Sequence, residues 1–122
     1  MARYLADVVD YGEAAMEPVF PVSLERFILD RDLRDMVYYR VQCVSEAVKK
    51  ILLLDPSIAD RNPQIEWRKV RDIGNVFRHE YGNIEAAAIW NTVTGDRLPS
   101  LIAVAKAVAL HAELGFVVRS PT

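Results

Sequence analysis

Residues 30–56 read Asp-Arg-Asp-Leu-Arg-Asp-Met-Val-Tyr-Tyr-Arg-Val-Gln-Cys-Val-Ser-Glu-Ala-Val-Lys-Lys-Ile-Leu-Leu-Leu-Asp-Pro. Leu33, Val37, Val41, Val44, Ala47, Val48 and Ile51 recur every three or four positions. That spacing lays them on one face of a helix. Asp30 and Asp32 supply a start, because a short acidic side chain suits the first turn. Asp55-Pro56 supplies a stop, since the residue before a proline avoids the helical region. The stretch predicts one long helix with a single buried stripe, through about Leu54. A helix of this kind needs other helices or a sheet to cover it.

The rest of the chain offers helices. Leu5, Val8, Val9, Ala15 and Met16 form one face of a first helix, which Pro18 and Pro21 end. Ser23 is a good N-cap for a short helix carrying Phe27, Ile28 and Leu29. Glu25 falls in its first turn, but Arg26 occupies the position a full capping box would give to Glu or Gln. Ser57 to Pro63 is a polar connector long enough for one helical turn. A helix over about Glu66 to Tyr81 follows, with Gly82-Asn83 as its exit. Ile84 to Thr94 carries Ile89, Trp90 and Val93, and Gly95-Asp96 breaks the path. Leu98 to Leu114 is the last helix, with Pro99 tolerated in its first turn and Gly115 just past its end. Phe116-Val117-Val118 is too short for a convincing strand. The expectation is an all-α bundle of about five helices, in a single domain spanning 1–122.

Composition narrows the function classes. The chain has 122 residues, 52% hydrophobic and 26% charged, which is globular rather than disordered. A net charge of −2 gives no global attraction to nucleic acid, so RNA binding needs a local basic patch. The lone Cys43 cannot form an internal disulfide, which fits a reducing compartment. There is no basic-then-apolar leader, and no apolar run approaches the ~18 residues of a membrane span. The reading is a cytoplasmic protein with no membrane association. Two histidines and one cysteine, far apart, give no metal-ligand spacing, and there is no Gly-rich phosphate loop. Neither cofactor nor metal is expected.

Chemistry concentrates in residues 67–81, Trp-Arg-Lys-Val-Arg-Asp-Ile-Gly-Asn-Val-Phe-Arg-His-Glu-Tyr. His79 lies one helical turn from Asn75 and two residues from Tyr81, near Arg68, Lys69, Arg71 and Arg78. A histidine titrates near neutrality and can move protons. An arginine fork pairs two phosphate oxygens. The bland reading of His79 is a helix-end histidine bonded to a carbonyl; that of Asn75, a polar group serving a nearby loop. That of the cations is a solvated or salt-bridged face. Glu46 is a candidate ion-pair partner for Arg71. Trp67 and Trp90 read as core anchors, Cys43 as a buried thiol, Tyr38-Tyr39 as helix packing, and His111 as structural or exposed.

This segment resembles the signature of HepT-type HEPN proteins, the toxin half of HEPN/nucleotidyltransferase toxin–antitoxin pairs. Their pattern is an arginine, a polar residue (often Asn), three more residues, His, any residue, Tyr. Asn75, His79 and Tyr81 stand in register; Gly74 stands where the arginine belongs. Three further stretches resemble the family in order. They are Ser45-Glu46-Ala47, Pro63-Gln64-Ile65-Glu66-Trp67-Arg68, and Ile89-Trp90 followed by Leu98-Pro99. The likeness runs from about Tyr4 to Leu110. A bundle outside this family would need four ordered matches by coincidence.

The resemblance implies a homodimer with signature helices facing across a cleft. It implies a metal-independent endoribonuclease in which His79 transfers protons, Asn75 orients, and Arg71 or Arg78 binds phosphate. It also implies a cognate MNT-type nucleotidyltransferase antitoxin that adds AMP to Tyr81; the bland reading of Tyr81 is a half-buried packing residue. Arg71 lies eight residues from His79, about 12 Å along the axis, so it serves the same phosphate only from a partner subunit. Arg78 is about 100° around the helix from His79. Gly74 costs about 1 kcal/mol relative to Ala and can mark close approach of a second helix across the dimer. It also favours the alternative of an attenuated module that binds RNA, a nucleotide or its partner without cleaving.

Overall fold

The computed structural model describes the backbone of residues 1–79 and 83–119, and the side chains of residues 1–73 and 86–112. All of its regular structure is helical: α1 (Ala2–Met16), α2 (Leu24–Leu29), α3 (Arg31–Leu54), α4 (Ile58–Arg61), α5 (Trp67–His79), α6 (Asn83–Thr94) and α7 (Arg97–Arg119). Five are long; α2 and α4 are short pieces that set the chain path.

The caps expected at Ser23 and Asp30 and the stop expected at Asp55-Pro56 operate. Ser23 accepts a hydrogen bond from the Arg26 amide at 3.2 Å, so α2 is capped although its box is incomplete. Asp30 ends α2 and caps α3, accepting from the Leu33 amide at 3.1 Å. Val37, Val41, Val44, Ala47, Val48 and Ile51 are all buried along α3; Leu33, nearer its start, is half-buried. Pro99 sits in the first turn of α7 as expected. The end of α7 differs from the expectation, because the helix continues through Gly115 to Arg119. Glycine ends a helix only where the chain turns left-handed; otherwise it costs only ~1 kcal/mol within one.

α3 is the centre of the bundle. α1 lies antiparallel against it: Arg40 donates to the Ala14 carbonyl at 2.6 Å at one end. Toward the other, Arg3 and Tyr4 share a groove with Glu46 and Lys50. That Arg40 bond also serves a carbonyl in the last turn of α1, where intrahelical partners run out. α7 packs antiparallel on the opposite side of α1, with Lys106 paired to Glu13 at 2.7 Å. α5 packs on α3, while α6 reaches α2, α3 and α7. Phe27 of α2 is fully buried and meets the half-buried Trp90 of α6, ring centroids 5.5 Å apart.

Two side chains differ from expectation. Cys43 is half-buried at the edge of α3, and the Tyr39 hydroxyl beside it is hydrogen-bonded to its sulfur, which holds the phenol above its usual pKa. Tyr38 packs as expected, but Tyr39 is 60% exposed. His111 is exposed. Among the described residues no helix is long and apolar enough to cross a membrane.

Candidate functional site

α5 carries the motif, and its first half is held from three directions. Trp67, Val70 and Ile73 are buried at three-residue intervals, the stripe that faces the bundle. The Trp67 indole donates to the Asn62 carbonyl at 3.0 Å, which fixes the chain just before the helix begins. Glu66 accepts from Arg97 at the start of α7, 3.2 Å, and pairs with Lys69 at 2.7 Å. The hydrogen bonds from Lys69 and then Arg97, with the charge of both cations, hold the Glu66 carboxyl below the usual carboxylate range. At mid-helix, the Ser45 hydroxyl of α3 donates to the Arg71 carbonyl at 2.7 Å.

Arg68 and Lys69 lie on the surface, as expected of them. Arg71 is partly exposed, and its guanidinium closes on the adjacent Asp72, with Nε to Oδ1 at 2.8 Å and Nη2 to Oδ2 at 3.3 Å. The expected partner Glu46 is instead exposed on α3, beside Arg3 and Lys50. The reason is proximity: Asp72 is next in sequence and both side chains are on the outer face. The pair raises the Arg71 pKa and lowers that of Asp72. A phosphate at Arg71 would therefore compete with a carboxylate already in place.

Beyond Ile73 the helical backbone continues through Gly74, Asn75 and Arg78 to His79, its last residue. Arg71, Asn75 and His79 thus fall at successive turns, on one line along α5. The side chains of Asn75, Arg78 and His79, and the whole of Tyr81, lie outside the described residues. Among the described residues no group of His, Cys, Asp and Glu is arranged to hold a metal ion. Sequence reasoning missed Ser45, Glu66 and Arg97 as the residues that fix α5. Only the Trp67 anchor was signalled, by a large aromatic at a helix start.

The sequence model of the family described as "Ribonuclease HepT-like" matches residues 10–108. A Methanocaldococcus jannaschii protein named "Putative RNase" is 22% identical over 89 residues, 73% of this chain and 71% of that one. No solved structure matches the chain. With most of its length matched, the chain belongs to the HepT-like ribonuclease family.

Proposed function

We propose that this member of the HepT-like ribonuclease family is the toxin of a HEPN/nucleotidyltransferase toxin–antitoxin pair, a metal-independent endoribonuclease acting as a homodimer. The observation that carries the reading is the family match over residues 10–108, which encloses the whole of α5 and Tyr81. In this reading His79 draws the proton from a ribose 2′-hydroxyl. The freed oxygen attacks the adjacent phosphorus, a 2′,3′-cyclic phosphate forms, and the P–O5′ bond breaks. The departing 5′-oxygen takes a proton from an acid, the second histidine of the dimer. Asn75 orients His79 or the phosphate. Arg78, or Arg71 from the partner subunit, balances charge on the phosphate. A cognate MNT-type nucleotidyltransferase blocks the groove by adding AMP to Tyr81.

A second reading keeps the fold and the partner but not the cleavage, and two observations favour it. Gly74 replaces the motif arginine. Arg71, the described cation nearest in sequence, is engaged by Asp72. Loss of one such charge lowers a rate by about 10²–10³, which leaves measurable activity and keeps the ribonuclease reading first.

The test is induction in a bacterial host beside a His79→Ala control, following growth and total RNA. Growth arrest and RNA loss that the substitution cures support the toxin. Intact RNA and unharmed cells with the parent chain refute it. Strong cleavage gained by Gly74→Arg then supports the attenuated module.

A further inference from the structure

We propose that Ser45 is a positioning residue for the chemistry of α5, an inference that rests on the ribonuclease reading above. Its side chain is buried on α3, 4% exposed. Its hydroxyl donates to the Arg71 carbonyl, 2.7 Å away and 26 positions along the chain. That carbonyl lies inside a helix, where the i+4 amide already uses one lone pair. The serine adds a second, lateral bond, and the bond joins the helix that carries the motif directly to the central helix.

The other anchors of α5 do different things. Trp67, Val70 and Ile73 bury apolar surface, which is non-directional and lets a helix roll or slide a little at small cost. The Glu66–Arg97 pair is exposed and lies at the helix start. A short hydrogen bond is directional. Placed at mid-helix, it sets the roll and axial register of α5 on α3 together.

Small errors there grow toward His79. His79 is eight residues past Arg71, about 12 Å along the axis, so a tilt of about 5° moves it by roughly 1 Å. A roll of about 10° moves a side-chain tip, on a radius of about 5–6 Å, by a similar distance. A misplacement of about 1 Å costs on the order of 10²-fold in rate where groups must be aligned for reaction. A hydroxyl remote from the substrate can therefore govern turnover without touching the phosphate. Binding changes less, because attraction to a phosphodiester is long-ranged and tolerant of angle.

The test compares the full chain with Ser45→Ala, Ser45→Thr and Ile51→Val. Ile51→Val removes a methyl group from the same helix and leaves the Ser45 bond intact. The readouts are single-substrate RNA cleavage well below each Tm, and hydrogen exchange with the His79 imidazole resonance by NMR. The expected result is a loss of tenfold or more in kcat for Ser45→Ala, with KM changed less than twofold. Ser45→Thr, which keeps the hydroxyl, recovers most of the loss, and Ile51→Val leaves kcat intact. A Ser45→Ala enzyme within twofold of the parent in kcat overturns the proposal; so does an equal loss in Ile51→Val. A parent chain that cleaves nothing refutes the ribonuclease reading instead. Ser45 is then judged by NMR alone: faster exchange over residues 75–79 with a shifted His79 signal supports its role, and unchanged spectra overturn it.

Discussion

Gly12 lies buried inside α1 where α7 crosses. A Cβ there would stand 2.8 Å from Ile102 Cδ1, 3.0 Å from Ile102 Cγ1 and 3.5 Å from Leu98 Cδ1. Two effects of Gly12→Ala oppose each other. Alanine in a helix interior gains about 0.8–1 kcal/mol over glycine. Forcing a methyl into a packed contact costs about 1–3 kcal/mol. The Cδ1 end of Ile102 must move aside, and with Ile102 only 6% exposed it has little open space to take, whereas Cγ1 at 3.0 Å needs to give only a few tenths of an ångström. The clash therefore wins, and the net expectation is a loss of about 1 kcal/mol. Ile102→Val removes the nearest atom and alone costs about 0.5–1.5 kcal/mol. In that background Gly12→Ala becomes neutral or stabilising, so the two changes couple by about 1 kcal/mol. Urea denaturation of the four proteins, followed by circular dichroism, measures the cycle. If Gly12→Ala stabilises by its full helical gain and adds independently to Ile102→Val, the close approach of α1 and α7 is wrong.

Trp67→Phe keeps most of the buried ring but removes one of two hydrogen bonds on the Asn62 carbonyl, which the Ile65 amide still serves at 3.2 Å. It should cost about 0.5–1.5 kcal/mol in urea melts, and no measurable change would count against that bond. Phe27→Ala empties a fully buried site beside Trp90 and should cost about 3–5 kcal/mol, read as a lowered denaturation midpoint. Glu66 gives a pH prediction. Its pKa is lowered in the folded chain, so its contribution is present above the ordinary value of 4.5 and fades as pH falls through the lower folded value. The Tm gap between the parent and Glu66→Gln should be open at neutral pH and narrow in acid; a gap that widens in acid would reverse the argument.

The helices were legible because their causes are local. The α3 stripe, the Ser23 and Asp30 caps and the Asp55-Pro56 stop each depend on residues a turn or less apart. The run of α7 through Gly115 was not, because a glycine ends a helix only if the following chain turns away. Cys43 was read as buried from its place near the apolar stripe, yet whether a stripe's edge is covered depends on where α1 comes to rest. The pairs Arg40–Ala14, Ser45–Arg71, Glu66–Arg97 and Glu13–Lys106 join distant parts of the chain. No spacing rule reaches them. Asn75, His79 and Tyr81 are candidates by resemblance alone, whereas the engagement of Arg71 by Asp72 rather than Glu46 needed side-chain geometry.

The antiparallel contact of the first and last helices has a consequence for synthesis. α1 can pair with α3 as soon as α3 leaves the ribosome, but its other face waits for α7. At about 5–20 residues per second, several seconds pass between the end of α3 and the arrival of Ile102. During that interval Leu5 and Val9, which line the α1–α7 groove, have no cover from α7. The nascent chain is a half-covered hairpin that offers an apolar strip to chaperones or to its neighbours on the polysome. Translation speed between Leu54 and Leu98 thus sets how long that strip waits for its cover.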